Sequence, residues 1–407
     1  MITDEKLQEI IDYNLKVNDD AKTCEKFGIK QESLSRYQRA YMQRQEDMED
    51  AMLKVNVKSY KQLQKQQDMN RIKNKTFREH SRIDNSIQEL NSELISLLRE
   101  HNVSHQTQFH EVKPAYYIPV MQLSDLHFNE LINKDYNKYD FRIASARLKK
   151  YAERFKIIAH AFGATEIYVV STGDLMNSDR RLDELLSQAT NRSKAAFLSV
   201  HLLKQLLVDL NKNYNIKVAG VMGNESRLPK DFGYTDLVAS DNYDFTIMNM
   251  LKVIFEGSEG VKFLDVDKMK TIISVNGKNI LLTHNYNKAM STEKGIQQTV
   301  GKHVLSDGVI LDYVIGGHEH SAKIGDYGAR SSALCGGNDY SDEGLNLAGR
   351  ASQNMFLVSE HDIISIRVDL QDTTGYTGYE IDSKLEEYNA KSISKLHDKK
   401  TLVEVVV

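Results

Sequence analysis

The sequence predicts an all-helical N-terminal region followed by a larger, layered α/β or α+β domain. Three observations carry this reading. Almost no strand signal occurs before Pro114. After it, apolar β-rich runs alternate with amphipathic helical stretches. Two of the three prolines, Pro114 and Pro119, bracket Tyr116-Tyr117-Ile118, as at a domain boundary. The length of 407 residues fits two or three units, taking roughly 150 residues for each.

Apolar residues make up 41% and charged residues 27% of the chain, the balance of a protein with a large core. The net charge of -4 excludes a uniformly basic coat for nucleic acid and leaves room for a local basic patch. No apolar run approaches the roughly 18 residues of a membrane span, so no membrane partner is expected. The opening Met1-Ile2-Thr3-Asp4-Glu5 is acidic and carries no signal core. Cys24 and Cys335 make no disulfide framework. The expected setting is a reducing cytoplasm.

Residues 1–45 read as helices. Leu7, Ile10, Ile11 and Leu15 fall at helical spacing. Asp19-Asp20 opens a short helix containing Cys24, Phe27-Gly28-Ile29 turns, and residues 31–44 form a third helix with Leu34 and Tyr37 inward. The run from Cys24 to Tyr37 resembles a helix-turn-helix, with Cys24 in the place of the small packing residue. Its last helix turns Gln31, Ser35, Arg36 and Arg39 outward, where they can reach base edges in a major groove. A three-helix docking bundle, including one that joins two copies of the chain into a homo-oligomer, is the other reading.

Residues 46–112 read as a helical, partly basic linker. Lys54, Lys58, Lys61, Lys65, Arg71, Lys73, Lys75, Arg78 and Arg82 face only Asp68 and Glu79 in that stretch. Such a run can touch phosphates or form the solvated face of a long helix. His101, His105 and His110 are read as linker residues.

Residues 113–370 form the second domain, and 371–407 a C-terminal tail. Five strands here end in polar, metal-capable residues. Tyr116 to Leu123 leads into Ser124-Asp125-Leu126-His127, and Ile167 to Ser171 into Thr172-Gly173-Asp174. Ile216 to Met222 leads into Gly223-Asn224-Glu225. Ile280 to Leu282 precedes Thr283-His284-Asn285, and Tyr313 to Ile315 precedes Gly316-Gly317-His318-Glu319-His320. Loops at the carboxyl ends of sheet strands are where such folds place their sites. Asp, His and Asn converging there would suit a pair of divalent metals. Asn276-Gly277 marks a hairpin between Ile272-Ile273 and Ile280-Leu281. Ile363 to Leu370 supplies a late strand. His160 and His201 read as packing residues, and His303 as a helix-end residue.

The order D-x-H, G-D, G-N, H, G-H-x-H resembles the calcineurin-like metallophosphoesterase superfamily over about residues 114–370. That superfamily includes protein phosphatases, cyclic-nucleotide phosphodiesterases and double-strand-break repair nucleases. The resemblance implies a four-layer α/β/β/α sandwich with the metal loops along one edge. It implies that Asp125, His127 and His320 hold one metal, that Asn224, His284 and His318 hold the other, and that Asp174 bridges both. The two divalent ions would be Mn²⁺ first, with Fe²⁺ or Zn²⁺ as alternatives. Two metals roughly 3.5–4 Å apart can activate water and clamp phosphoryl oxygens.

One position departs from the family pattern. A histidine that serves the leaving group usually follows the Asn, but here the run is Gly223-Asn224-Glu225-Ser226-Arg227. Glu225 protonates a leaving group only if its pKa is raised, and Arg227 can neutralise a substrate phosphate. Glu225 and Arg227 are therefore the candidate catalytic residues. The implied activity is phosphoester hydrolysis. The helix-turn-helix and the Gly173-Asp174-Leu175 run, common in nuclease relatives, favour nucleic acid as substrate. The alternatives are a phosphatase acting on small molecules or phosphoproteins, and a non-catalytic DNA-binding scaffold.

Overall fold

The computed structural model describes residues 3–45, 64, 66–67, 106–228, 239–286, 288–338, 341 and 349–393. The basic run of the linker, with His101 and His105, lies outside the described residues apart from single positions. The chain divides into two compact units, Met1–Ser86 and Ile87–Val407.

In the first unit, α1 (Asp4–Val17) ends at Asn18 in the left-handed conformation. The side chain of Asp19 accepts from Lys22 N and starts α2 (Asp20–Phe27), and Gly28 closes it at φ 66°. A third helix, α3, covers 31–45. Leu7, Ile10, Ile11 and Leu34 are buried together with the polar Asn14, whereas Leu15 is 69% exposed. Asn14 turns inward because it bonds Asp20, Thr23 and Gln38, tying the three helices together. The buried residue of α2 is Thr23, and Cys24 beside it is only half-buried.

The second unit has two main sheets. The first contains β1 (Ile118–Leu123), β4 (Glu166–Ser171), β5 (Asn215–Gly220), β6 (Val261–Phe263), β12 (Ser352–Val358) and β13 (Ile363–Asp369). Their order is β13-β12-β1-β4-β5-β6, with β1, β4, β5 and β6 parallel and β12 antiparallel to β1. The second contains β7 (Lys270–Val275), β8 (Lys278–Thr283), β9 (Tyr313–Gly316), β10 (Lys323–Ile324) and β11 (Gly328–Arg330) in the order β10-β11-β9-β8-β7. A small ribbon, β2 (Ile132–Asn133) with β3 (Lys138–Tyr139), lies outside both. The β7–β8 turn is Asn276-Gly277, both at positive φ, as the dipeptide predicts.

Side chains alternate along the strands with period two and sort the core into three layers. Met121, Leu123, Ile167, Val169, Ile216 and Val218 pack under α4 (Phe141–Ala161), α6 (Arg192–Asn211) and α7 (Tyr243–Ile254). Val120, Tyr168, Val170 and Ala219 face the opposite way and meet Ile273, Ile280, Leu282, Tyr313 and Ile315 of the second sheet. Leu281 and Val314 turn outward under Ile296 of α8 (Glu293–Asp307). This is the expected sequence of helices, sheet, sheet and helix. Short α5 (Leu182–Leu186), α9 (Asp382–Glu387) and a 3₁₀ turn at Ala289–Ser291 are further helical segments.

One expectation differs: His160 is exposed, so it does not pack in the core. His303 lies in the last turn of α8, where its carbonyl accepts the Gly308 amide, and its ring is buried with Nδ1 on Asp307. His201 is half-buried and faces Glu380 at 3.5 Å, and His110 bonds Asn211 O at 2.6 Å. Among the described residues no helix is long and apolar enough to cross a membrane.

Candidate metal centre

The loops after β1, β4 and β5 leave one end of the first sheet together because those strands run parallel. The pairing continues past the strands. Asp125 N donates to Gly173 O (3.0 Å), His127 N to Asp174 O (3.1 Å) and Phe128 N to Leu175 O (2.9 Å). The first two loops therefore run side by side, which sets Asp125 and His127 next to Asp174. Gly173, at φ 91°, lies directly against Gly223, and a Cβ on either would collide with the other loop. The loops after β8 and β9 bring His284, His318 and His320 from the second sheet.

All seven expected ligands converge. Asp125, His127, Asp174 and His320 form one donor set and Asp174, His284 and His318 a second, with ligand atoms within 4.8 Å of one another in each. Asp174 is common to both. Asn224 Oδ1 joins at 2.9 Å from His284 Nε2. Asp125, Asp174 and His284 are fully buried.

The donor chemistry fits metal ions. His284 Nδ1 donates to Thr172 O (2.7 Å) and His127 Nδ1 to Asn177 Oδ1 (3.2 Å), so both rings aim the lone pair of Nε2 at the centre. There, lone pairs face lone pairs. His127 Nε2 is 3.0 Å from His320 Nε2, and His284 Nε2 lies 2.9 Å from Asn224 Oδ1. Asp174 Oδ2 is buried without a hydrogen bond, 3.0 Å from His284 Nε2. Apposed acceptors in a buried site repel unless a cation lies among them. Five of the seven residues, Asp125, His127, Asp174, His318 and His320, also adopt positive φ. That conformation costs non-glycine residues about 1–3 kcal/mol each and clusters at functional sites.

Without metal, a proton takes the cation's place. Burial alone would lower the His284 pKa, but the Asp174 and Asp125 carboxylates outweigh it and raise it to about 10. Burial would raise Asp174, yet His284 overrides it and holds the carboxyl below its ordinary value. Burial and then His127 push His320 down to about 4, and burial and then His284 lower His318. For His127 burial is outweighed by Glu130, Asp174 and Asp125, and the pKa rises.

The two candidate catalytic residues have definite partners. Glu225 Oε1 accepts from Asn224 Nδ2, and Oε2 lies 3.2 Å from Arg180 Nη2. Burial and the Asp174 charge raise the Glu225 pKa, against the pull of Arg180. Arg227 Nη1 donates to Asn224 O at 2.6 Å. A cleft of about 560 Å³ opens over the donors, and Arg181 and Lys288 are the cations on its wall. Ser341 and Gly349, from the Gly- and Ser-containing stretch after Cys335, also line it. In the first unit Gln31, Arg36 and Arg39 are exposed and Ser35 is half-buried, with Arg39 Nε on Ser35 O (3.3 Å).

The motifs did not reveal Arg180, Asn177 or Asp244. Asp244 is buried and accepts from Asp174 N (2.8 Å), Leu175 N (2.9 Å) and Gly223 N (2.8 Å). Burial, then the Asp174 charge, raises its pKa to about 6. Its only sequence signal is Asn242-Tyr243-Asp244, which reads as an ordinary helix start.

No family model matches the sequence, and no curated protein matches it. Solved structures do. The calcineurin-like phosphoesterase YfkN from Bacillus subtilis matches at 10% identity over 68% of this chain and 97% of its own, with a TM-score of 0.34. Vps29 from Entamoeba histolytica, crystallised with zinc, matches at 12% identity over 62% and 99%, with a TM-score of 0.27. A phosphatase from Mycoplasma pneumoniae matches at 12% identity over 67% and 100%, also at 0.27. What this site can do is decided by its own donors.

Proposed function

We propose that the protein is a dinuclear metal-dependent phosphoester hydrolase, and that its substrate is a nucleic acid phosphodiester. One observation carries the first part: two largely buried donor sets share Asp174 beneath an open cleft. Asp125, His127 and His320 would hold one ion, Asn224, His284 and His318 the other, and Asp174 both. Histidine, carboxylate and amide oxygen suit Mn²⁺, Fe²⁺ or Zn²⁺. Two such ions supply activated water and positive charge for the phosphoryl oxygens.

The chain's own residues prepare that arrangement. Thr172 and Asn177 fix the tautomers of His284 and His127. Glu225 holds the Asn224 amide nitrogen and leaves its oxygen facing the centre. Arg181 and Lys288 on the cleft wall can pair with phosphate oxygens. The nucleic acid assignment is supported by exposed Gln31, Arg36 and Arg39 on α3, after a glycine-closed turn. The test is purified protein with Mn²⁺ against bis-p-nitrophenyl phosphate, p-nitrophenyl phosphate, and single- and double-stranded DNA. Diester and DNA cleavage that Asp174→Ala abolishes, together with most of the bound metal, is the expected result. Full hydrolysis by Asp174→Ala would overturn the assignment.

A further inference from the structure

The loops of Asp174 and Asn224 come from different strands, β4 and β5, and yet their donors meet. Two charged side chains take up backbone groups where these loops touch. Asp244, in the first turn of α7, accepts the amides of Asp174, Leu175 and Gly223. Arg180, from the chain after β4, donates through Nη1 to the carbonyls of Asn224 (2.9 Å), Glu225 (3.2 Å) and Arg227 (3.3 Å). Its Nη2 meets the Glu225 carboxylate, which in turn holds the Asn224 amide. The anion thus gathers amides of both loops, and the cation, six residues beyond Asp174, gathers carbonyls of the Asn224 loop. Neither group touches a ligand atom.

We propose that Arg180 and Asp244 are positioning residues that set the spacing between the Asp174 and Asn224 loops, and so the affinity for the metals those loops would hold. The inference rests on the metallohydrolase reading. A shared ligand serves two ions only while both loops hold their distance. Here the contact is tight enough that neither Gly173 nor Gly223 has room for a Cβ. Arg180 is nearly buried, at 14% side-chain exposure, so its fork is held in place rather than sampling solvent. A lysine at this position offers one point charge and reaches fewer of the four acceptors.

The test uses the full chain carrying Arg180→Gln, Arg180→Lys or Asp244→Asn, titrated calorimetrically with Mn²⁺. In Arg180→Gln one of the two affinities should fall about 10–100-fold, as when the groups that orient metal ligands are removed. The other affinity should stay. Arg180→Lys should lose less. Asp244→Asn should weaken both ions, because Asp174 is shared. Diester hydrolysis by Arg180→Gln should return at raised Mn²⁺, a rescue that simple loss of fold would not allow. Wild-type Mn²⁺ binding by both Arg180→Gln and Asp244→Asn would overturn the proposal. If the wild type itself binds no Mn²⁺, the hydrolase reading fails, and amide exchange decides this inference separately. Faster exchange over 172–176 and 222–228 in Arg180→Gln supports the spacing role, and unchanged exchange refutes it.

Discussion

Asn224 turns its amide nitrogen to the Glu225 carboxylate and so leaves its carbonyl oxygen 2.9 Å from His284 Nε2. The residue that stands where a leaving-group histidine is expected is therefore occupied with the Asn224 side chain. Its other oxygen is taken by Arg180. Both oxygens accept, which is the work of a carboxylate rather than an acid, although burial and Asp174 raise its pKa.

Glu225→Gln should accordingly slow nitrophenyl and alkyl diesters by the same factor, about tenfold, through weaker placement of Asn224. The measurement is the ratio of the two rates in mutant and wild type. A loss confined to alkyl esters would make Glu225 the catalytic acid.

Proton and metal compete for His284. A metal needs the neutral imidazole, whereas the carboxylates raise this pKa to about 10. Below that pH, binding must expel the proton, so affinity should rise with pH. The slope is up to roughly tenfold per unit between about pH 6 and 9. His320, held at about 4, is already neutral there and adds no slope. Calorimetry in buffers of different ionisation enthalpy measures the released proton. An affinity that ignores pH over this range would remove His284 from the ligand set.

The five candidate donor loops were legible because each follows an apolar run and together they keep the order D-x-H, G-D, G-N, H, G-H-x-H, although Gly-Asp or Gly-Asn alone reads as an ordinary turn. The strand β12 was not. It opens Ser352-Gln353-Asn354, which reads as loop, yet all three are buried. Gln353 both accepts from Ser124 N and donates to Ser124 O. Asn14 against Leu15 fails for the same reason: hydrophobic periodicity cannot register an inward polar residue whose partners lie on other helices. Arg180 and Asp244 were hidden because their work is done on backbone atoms, which leave no residue pattern.

The α3 surface can be tested without touching the site. Arg36 and Arg39 are exposed, and no ion pair involves them among the described residues. If they contact phosphates, the double change Arg36→Ala and Arg39→Ala should weaken DNA binding uniformly across sequences. It should also reduce the slope of log affinity against log salt by about 2. Hydrolysis of bis-p-nitrophenyl phosphate should be unchanged. An unaltered salt slope would assign α3 to another partner.

Two glycines separate backbone strain from collision. Gly173 and Gly277 both adopt positive φ, 91° and 81°. Around Gly277 nothing lies within 4 Å of an added Cβ, whereas at Gly173 the backbone of Met222 and Gly223 does. Gly277→Ala should therefore cost only the left-handed conformation, about 1–2 kcal/mol, with metal binding intact. Gly173→Ala carries the same penalty and must also push the Asn224 loop away from Asp174. It should lower the melting temperature further and lose at least one of the two bound metals. Thermal unfolding and Mn²⁺ titration of the two variants side by side make the comparison. Equal metal binding in both would mean that the two loops can separate without losing the shared ligand, and the tight contact of Gly173 with Gly223 would then have no part in holding the metals.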